Sequence, residues 1–168
     1  LETLLSDAVQ RCMVADVPLG AFLSGGIDSS TIVALMQQHS SRPIKTFTIG
    51  FQEAARDESP HAQQIARHLG TDHQTLVVEP SHAVDLLPRI PTWYDEPFAD
   101  TSQVPTCFVS YLARQEVTVA LSGDGGDELF AGYKRYLKAA QLWSRFSQVP
   151  PPLRAVLAQA TGLLPPFL

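Results

Sequence analysis

Phe22-Leu23-Ser24-Gly25-Gly26-Ile27-Asp28-Ser29-Ser30 is the stretch on which the reading of this chain turns. Before it runs Val17-Pro18-Leu19-Gly20-Ala21-Phe22-Leu23, which reads as a buried strand. After it runs Thr31-Ile32-Val33-Ala34-Leu35-Met36, which reads as a helix. A strand, a Ser/Gly turn and a helix start make an anion site, because free N–H groups and the positive end of the helix dipole converge there. The glycines let the backbone approach a phosphate closely, and the serine hydroxyls add donors. Asp28 conflicts with a bare anion, since two touching anions repel strongly at low dielectric. A Mg²⁺ bridging carboxylate and phosphate removes the conflict. No Gly-Lys-Ser/Thr is present, so this is not a Walker loop. The plain alternative is a Gly-rich turn whose Asp and Ser only cap a helix.

Working outward, residues 2–14 carry apolar positions at helical spacing and read as an amphipathic helix. A strand at 17–23 and a helix at about 28–39 follow. Residues 44–51 are β-branched and aromatic and read as a second strand. Asp57-Glu58-Ser59-Pro60 opens a helix that stops at Gly70. Residues 74–78 read as a third strand, 82–90 as a helix, and 93–106 as a loop dense in acids and aromatics leading into a helix at about 103–114. Val117-Thr118-Val119-Ala120-Leu121 is the fourth strand. It runs into Ser122-Gly123-Asp124-Gly125-Gly126-Asp127-Glu128, then one helix through Leu129, Tyr133, Tyr136, Leu137 and Ala140. The Pro-rich tail from Pro150 is weakly specified.

Alternating strands and helices predict an α/β fold, a parallel sheet with helices on both faces. Ligands bind such sheets at the carboxyl ends of the strands, where strand order reverses. The first and fourth strands both end in Ser-Gly followed by acids. If they are neighbours, Asp28, Asp124 and Asp127 face one crevice, suited to a Mg-nucleotide and a second substrate.

The chain has 168 residues, 45% of them hydrophobic, enough for one domain with a real core. The net charge of −5 disfavours nucleic acid. No run approaches the ~18 apolar residues of a membrane span, and no signal peptide is read at the start. Cys12 and Cys107 read as reduced, buried thiols of a cytoplasmic protein. The histidines form no zinc pattern; His61, His68, His73 and His82 read as surface or locally bonded residues. Asp95 and Asp100 either order their loop by Asx-type bonds or touch ligand. Glu128 is either a helix N-terminal charge or a reacting group. Tyr133 and Tyr136 read as a core face, and Lys134 and Arg135 as solvent-facing.

Ser24-Gly25-Gly26-Ile27-Asp28-Ser29-Ser30 resembles the pyrophosphate loop of ATP pyrophosphatases, with their adenine nucleotide alpha hydrolase-like fold. Asp95-Glu96-Pro97-Phe98-Ala99-Asp100-Thr101-Ser102 and Ser122-Gly123-Asp124-Gly125-Gly126-Asp127-Glu128-Leu129-Phe130-Ala131-Gly132-Tyr133 resemble the synthetase domain of glutamine-hydrolysing asparagine synthetases. The resemblance runs in order from about residue 3 to 140. It implies a ligase that uses ATP and Mg²⁺. The aspartate carboxylate attacks the α-phosphate, pyrophosphate leaves, and ammonia displaces AMP from β-aspartyl-AMP to give asparagine. The ammonia would come from a glutaminase domain outside this chain. The resemblance further implies that Ser24, Gly25, Gly26, Ser29 and Ser30 cradle pyrophosphate, and that Asp28 and Asp127 hold Mg²⁺. Phe22, Leu23 and Ile49 would lie near adenine, partly through backbone groups, and Ser122 and Gly123 would contact the nucleotide. Asp124 stands where many members carry Glu, a residue linked to the intermediate and the ammonia step; the shorter carboxylate keeps the charge and changes the reach.

The expected organisation is the N-terminal part of the ATP pyrophosphatase domain over 1–148, with 149–168 as its continuation. The family's later lysine has no counterpart after Lys138, so the chain is expected to be a piece of a longer synthetase and to turn over poorly alone. Two other readings stay open: an amidotransferase or β-lactam-type synthetase acting on another acceptor, or an inactive ATP-binding module.

Overall fold

A computed structural model describes residues 1–53, 57–96, 100–154 and 159. Pro97, Phe98 and Ala99 of the acidic loop, and most of the tail after Arg154, lie outside the described residues. The chain divides into two compact units, Leu1–Asp124 and Gly125–Leu168.

The first unit holds a four-stranded sheet in the order β3-β2-β1-β4, every neighbouring pair parallel. β1 is Leu19–Phe22, β2 Lys45–Phe51, β3 Asp72–Val78 and β4 Val119–Leu121. The chain lays down β1, β2 and β3 in one direction and then returns to the free edge of β1. The order therefore reverses between β1 and β4, where a ligand crevice is expected.

Strand alternation sorts the core onto two faces. Ala21 and Leu23 enter a cluster with Val9 of α1 (Glu2–Cys12), Val33 and Met36 of α2 (Ile27–His39), and Ala62 and Ala66 of α3 (Ser59–Leu69). Phe22 and Phe47 face the other way, against Val109, Leu112 and Ala113 of α5 (Gln103–Arg114). Helices cover both faces, as the alternating pattern requires. Gly20 makes this packing possible: a β-carbon there would sit 2.8 Å from both the Lys45 carbonyl oxygen and Cε2 of Phe47, which is fully buried.

The sequence-predicted helix at 82–90 is α4 (Pro80–Leu86) followed by a 3₁₀ turn, Leu87–Thr92. Pro88 and Pro91 lack the N–H groups an α-helix would use there. Cys107 is half-buried and Cys12 exposed, so the expectation of two buried thiols fails at Cys12.

His73 is locally bonded. Its Nδ1 lies 2.9 Å from Oγ1 of the fully buried Thr46, and burial holds its pKa below the ordinary histidine value. The unfolded chain, with His near 6.5, then binds more protons than the native one in the window just below that value. Native stability falls as pH drops through it. The expected result is a Tm that declines from pH 7.5 to 5.5, with a shallower decline in His73→Gln; an unchanged slope would contradict it.

In the second unit, the single helix expected after Glu128 is instead two. α6 (Gly126–Phe130) ends at Ala131, whose φ is +61, and α7 spans Lys134–Phe146. The break folds Gly132 back over Asp127, where a β-carbon on Gly132 would overlap the Asp127 carboxylate. Tyr133 and Tyr136 do not form a core face, since α7 has no buried residue among those described. They pair edge to face with centroids 5.5 Å apart, and the guanidinium of Arg135, which is solvent-exposed as expected, lies 3.8 Å from the Tyr133 centroid.

Candidate nucleotide site

The turn after β1 is tied by its own hydroxyls. Ser24 Oγ and Ser29 Oγ are 3.0 Å apart, the Gly26 N–H donates to Ser24 Oγ (3.2 Å), and Ser29 Oγ donates to the Gly26 carbonyl (3.3 Å). The Ser24 N–H donates to Ser29 Oγ at 3.3 Å. These hydroxyls shape the loop, so an incoming anion would have to exchange partners with them. Ser30 Oγ is inaccessible and unpartnered, a state that costs about 1–3 kcal/mol.

The free donors are backbone groups. Gly26 caps α2 with extended dihedrals and no side chain bonds to the helix start, so the N–H groups of Ile27, Asp28 and Ser29 are left open among the described residues. The capping alternative for Asp28 and Ser29 is therefore not what the fold adopts. Asp28 is half-buried and has no hydrogen-bond or ion-pair partner among the described residues. An unpaired carboxylate beside open N–H groups fits a Mg²⁺ held by one or two carboxylates and substrate phosphate. No cluster of three or more His, Cys, Asp or Glu side chains that could hold a metal ion occurs among the described residues. Ile27 is 85% exposed at the same turn, an apolar side chain the sequence reading did not single out.

Gly25 needs its glycine: its φ is +85, and a β-carbon would sit 2.9 Å from Cδ2 of His61 and 3.0 Å from the Ala62 nitrogen. The loop thus lies directly on the first turn of α3. Asp57 accepts from the N–H groups of Ser59 (3.0 Å) and Phe51 (3.3 Å), and the Ser59 bonds hold its pKa below the ordinary carboxylate value.

The turn after β4 abuts the same place. A β-carbon on Gly123 would fall 2.5 Å from the Ser29 nitrogen, 2.8 Å from the Asp28 carbonyl carbon and 2.9 Å from Ser29 Cα. The two Ser-Gly turns are therefore in backbone contact, an arrangement that parallel pairing of β1 with β4 produces. Ser122 Oγ donates to Asp124 Oδ2 at 3.1 Å and accepts the Asp124 N–H at 3.4 Å, which fixes that carboxylate at the turn.

The residues assigned to adenine divide between the two faces. Phe22 packs toward α5, and Ile49 shares the face of Phe47. Leu23 is 1% exposed in the opposite core, so only its backbone is available to a ligand. Asp127 belongs to the second unit, in the first turn of α6. Glu128 accepts from the Tyr133 hydroxyl, which holds its carboxyl low and raises the tyrosine. Asp100 accepts the Ser102 N–H at 2.8 Å, the Asx-type bond that was one of its two readings.

This strand order, with the two Ser-Gly turns in contact where it reverses, defines a doubly wound parallel α/β fold. NMN synthetase from Francisella tularensis is similar in structure, with TM-score 0.54 and 18% identity over 79% of this chain and 58% of that one. So is the NH3-dependent NAD synthetase from Campylobacter jejuni, with TM-score 0.54 and 14% identity over 99% and 97%. At such identities the fold is what is shared. The chain belongs to the asparagine synthase family, whose family model matches residues 1–166. It is 40% identical over 160 residues to asparagine synthetase [glutamine-hydrolyzing] 1 of Bacillus subtilis, covering 95% of this chain and 25% of that protein. It is 43% identical over 165 residues to a protein of Mycobacterium tuberculosis described as "Putative asparagine synthetase [glutamine-hydrolyzing]", covering 98% of this chain and 25% of that protein. The chain thus spans about a quarter of the length of the curated relatives it matches. No helix among the described residues is long and apolar enough to cross a membrane.

Proposed function

We propose that this chain is the nucleotide-binding part of a carbon–nitrogen ligase. The reaction is ATP-dependent amidation of a carboxylate through an acyl-adenylate, and the acceptor is aspartate. The substrate carboxylate oxygen bonds to the α-phosphorus, the bond to the β-phosphate breaks, and pyrophosphate leaves. Ammonia, supplied from glutamine elsewhere in the whole protein, then attacks the acyl carbon. AMP leaves with the C–O electron pair, and the nitrogen gives up a proton.

The open N–H groups of α2 hold the pyrophosphate portion, with Ser24, Gly25, Gly26, Ser29 and Ser30 forming the cradle. Asp28 would hold Mg²⁺, which when bound neutralises charge on the phosphates. The backbone of Leu23, with Phe22 and Ile49, flanks adenine, and Ser122 and Gly123 border the nucleotide. Asp124 is the carboxylate linked to the intermediate and the ammonia step. The observation that supports this reading is the backbone contact of Gly123 with Asp28 and Ser29, which brings the two Ser-Gly turns together. A second reading, an amidotransferase or β-lactam-type synthetase for another acceptor, is favoured by the short Asp124 side chain fixed on Ser122.

The test is product analysis with the full-length protein, Mg-ATP, ammonia and a panel of carboxylic acids. Asparagine, AMP and pyrophosphate in equal amounts support the aspartate reading. ADP and phosphate instead would overturn the adenylation chemistry, and amidation of a different acid alone would select the second reading.

A further inference from the structure

The first turn of α3 sits on Gly25, and its backbone donors are all committed. The Ser59 N–H donates to Asp57, Pro60 has none, and the N–H groups of His61 and Ala62 both donate to the Glu58 carbonyl, at 3.1 and 3.0 Å. This helix therefore offers the loop no open N–H in its first turn. What it offers is the ring of His61. Cδ2 lies 2.9 Å from the β position of Gly25, and Nε2 is the next atom along the same ring edge. His61 is exposed, and neither ring nitrogen has a hydrogen-bond partner among the described residues.

The hydroxyls of Ser24 and Ser29, by contrast, are engaged within the loop itself. Its open donors are the N–H groups of Ile27, Asp28 and Ser29 at the start of α2. A pyrophosphate seated on them would rest on the loop whose Gly25 the His61 ring abuts. We infer that His61 contacts the bound pyrophosphate through a ring nitrogen, closing the cradle from the α3 side. This inference rests on the proposed nucleotide site and extends it by one residue. An Nε2–H donor to an anionic oxygen is among the stronger hydrogen bonds.

His61→Phe keeps a ring edge against Gly25 and removes both nitrogens; His61→Gln keeps a donor on a shorter chain. Mg-pyrophosphate and AMP are used as product inhibitors of the full-length protein. His61→Phe is expected to weaken pyrophosphate inhibition about tenfold, the scale of one charge-assisted hydrogen bond, and to leave AMP inhibition within twofold. His61→Gln is expected to recover part of the loss. A packing role alone would leave His61→Phe like wild type, and that result, or equal weakening of both inhibitors, overturns the inference while the nucleotide site stands. A wild-type protein insensitive to Mg-pyrophosphate would overturn the site and the inference together.

Discussion

Gly123→Ala is expected to abolish measurable ATP binding at concentrations that saturate the wild type. The added methyl would lie 2.5 Å from the Ser29 nitrogen and 2.8 Å from the Asp28 carbonyl carbon, both of them backbone atoms that cannot rotate away. Either the β4 turn or the first turn of α2 must shift, and the open N–H groups of α2 shift with it. Overpacking of this kind costs about 1–3 kcal/mol of stability, which a folded domain survives. Misplacement of a binding group by about 1 Å costs on the order of 100-fold in rate, so function should fail well before folding does. Gly125→Ala is the matched control. Its φ is +87, but nothing lies within 4 Å of a β-carbon there, so it carries only the conformational cost of about 1–2 kcal/mol. Circular dichroism melts with ATP titrations separate the two. Wild-type affinity in Gly123→Ala would show that the turns do not share a ligand.

Asp28→Asn should lower kcat/KM for ATP on the order of 100-fold, equivalent to about 2.7 kcal/mol, with little change in melting temperature. The carboxylate makes no bond to the fold among the described residues, and its effect on the α2 dipole is worth only about 0.3–1 kcal/mol. The loss should be partly recovered at high Mg²⁺, because the amide removes a ligand charge and leaves the loop in place. A residue that merely shaped the turn would show the opposite pattern: a lower Tm and an unchanged Mg²⁺ dependence.

The sheet and its crevice were legible because each strand carries its own local signal. The β-branched run at 44–51 and the Ser-Gly endings at 24 and 122 survive as β2 and as the turns after β1 and β4. What spacing cannot show is contact between backbones distant in sequence. Nothing around Gly123 signals that it presses on Ser29, or around Gly20 that it makes room for Phe47. His61 was read as a surface or locally bonded residue and is exposed; its contact with Gly25 was not legible because Gly25 lies on another element. The one available signal was that the helix after β2 must start at the same sheet edge as the loop. The break at Ala131 was missed because residues 128–140 keep an unbroken helical period, and the left-handed residue there is an alanine rather than the glycine that follows it. The exposure of Cys12 was missed because a helical stripe fixes a face only to within a neighbouring position.

Exchange of labelled pyrophosphate into ATP tests the central claim most directly, because it requires the adenylate to form and reverse without any ammonia. With the full-length protein and Mg²⁺, exchange should appear only when aspartate is added, and should be lost in Asp28→Asn. A folded, ATP-binding protein that shows no exchange with any carboxylic acid would contradict the account.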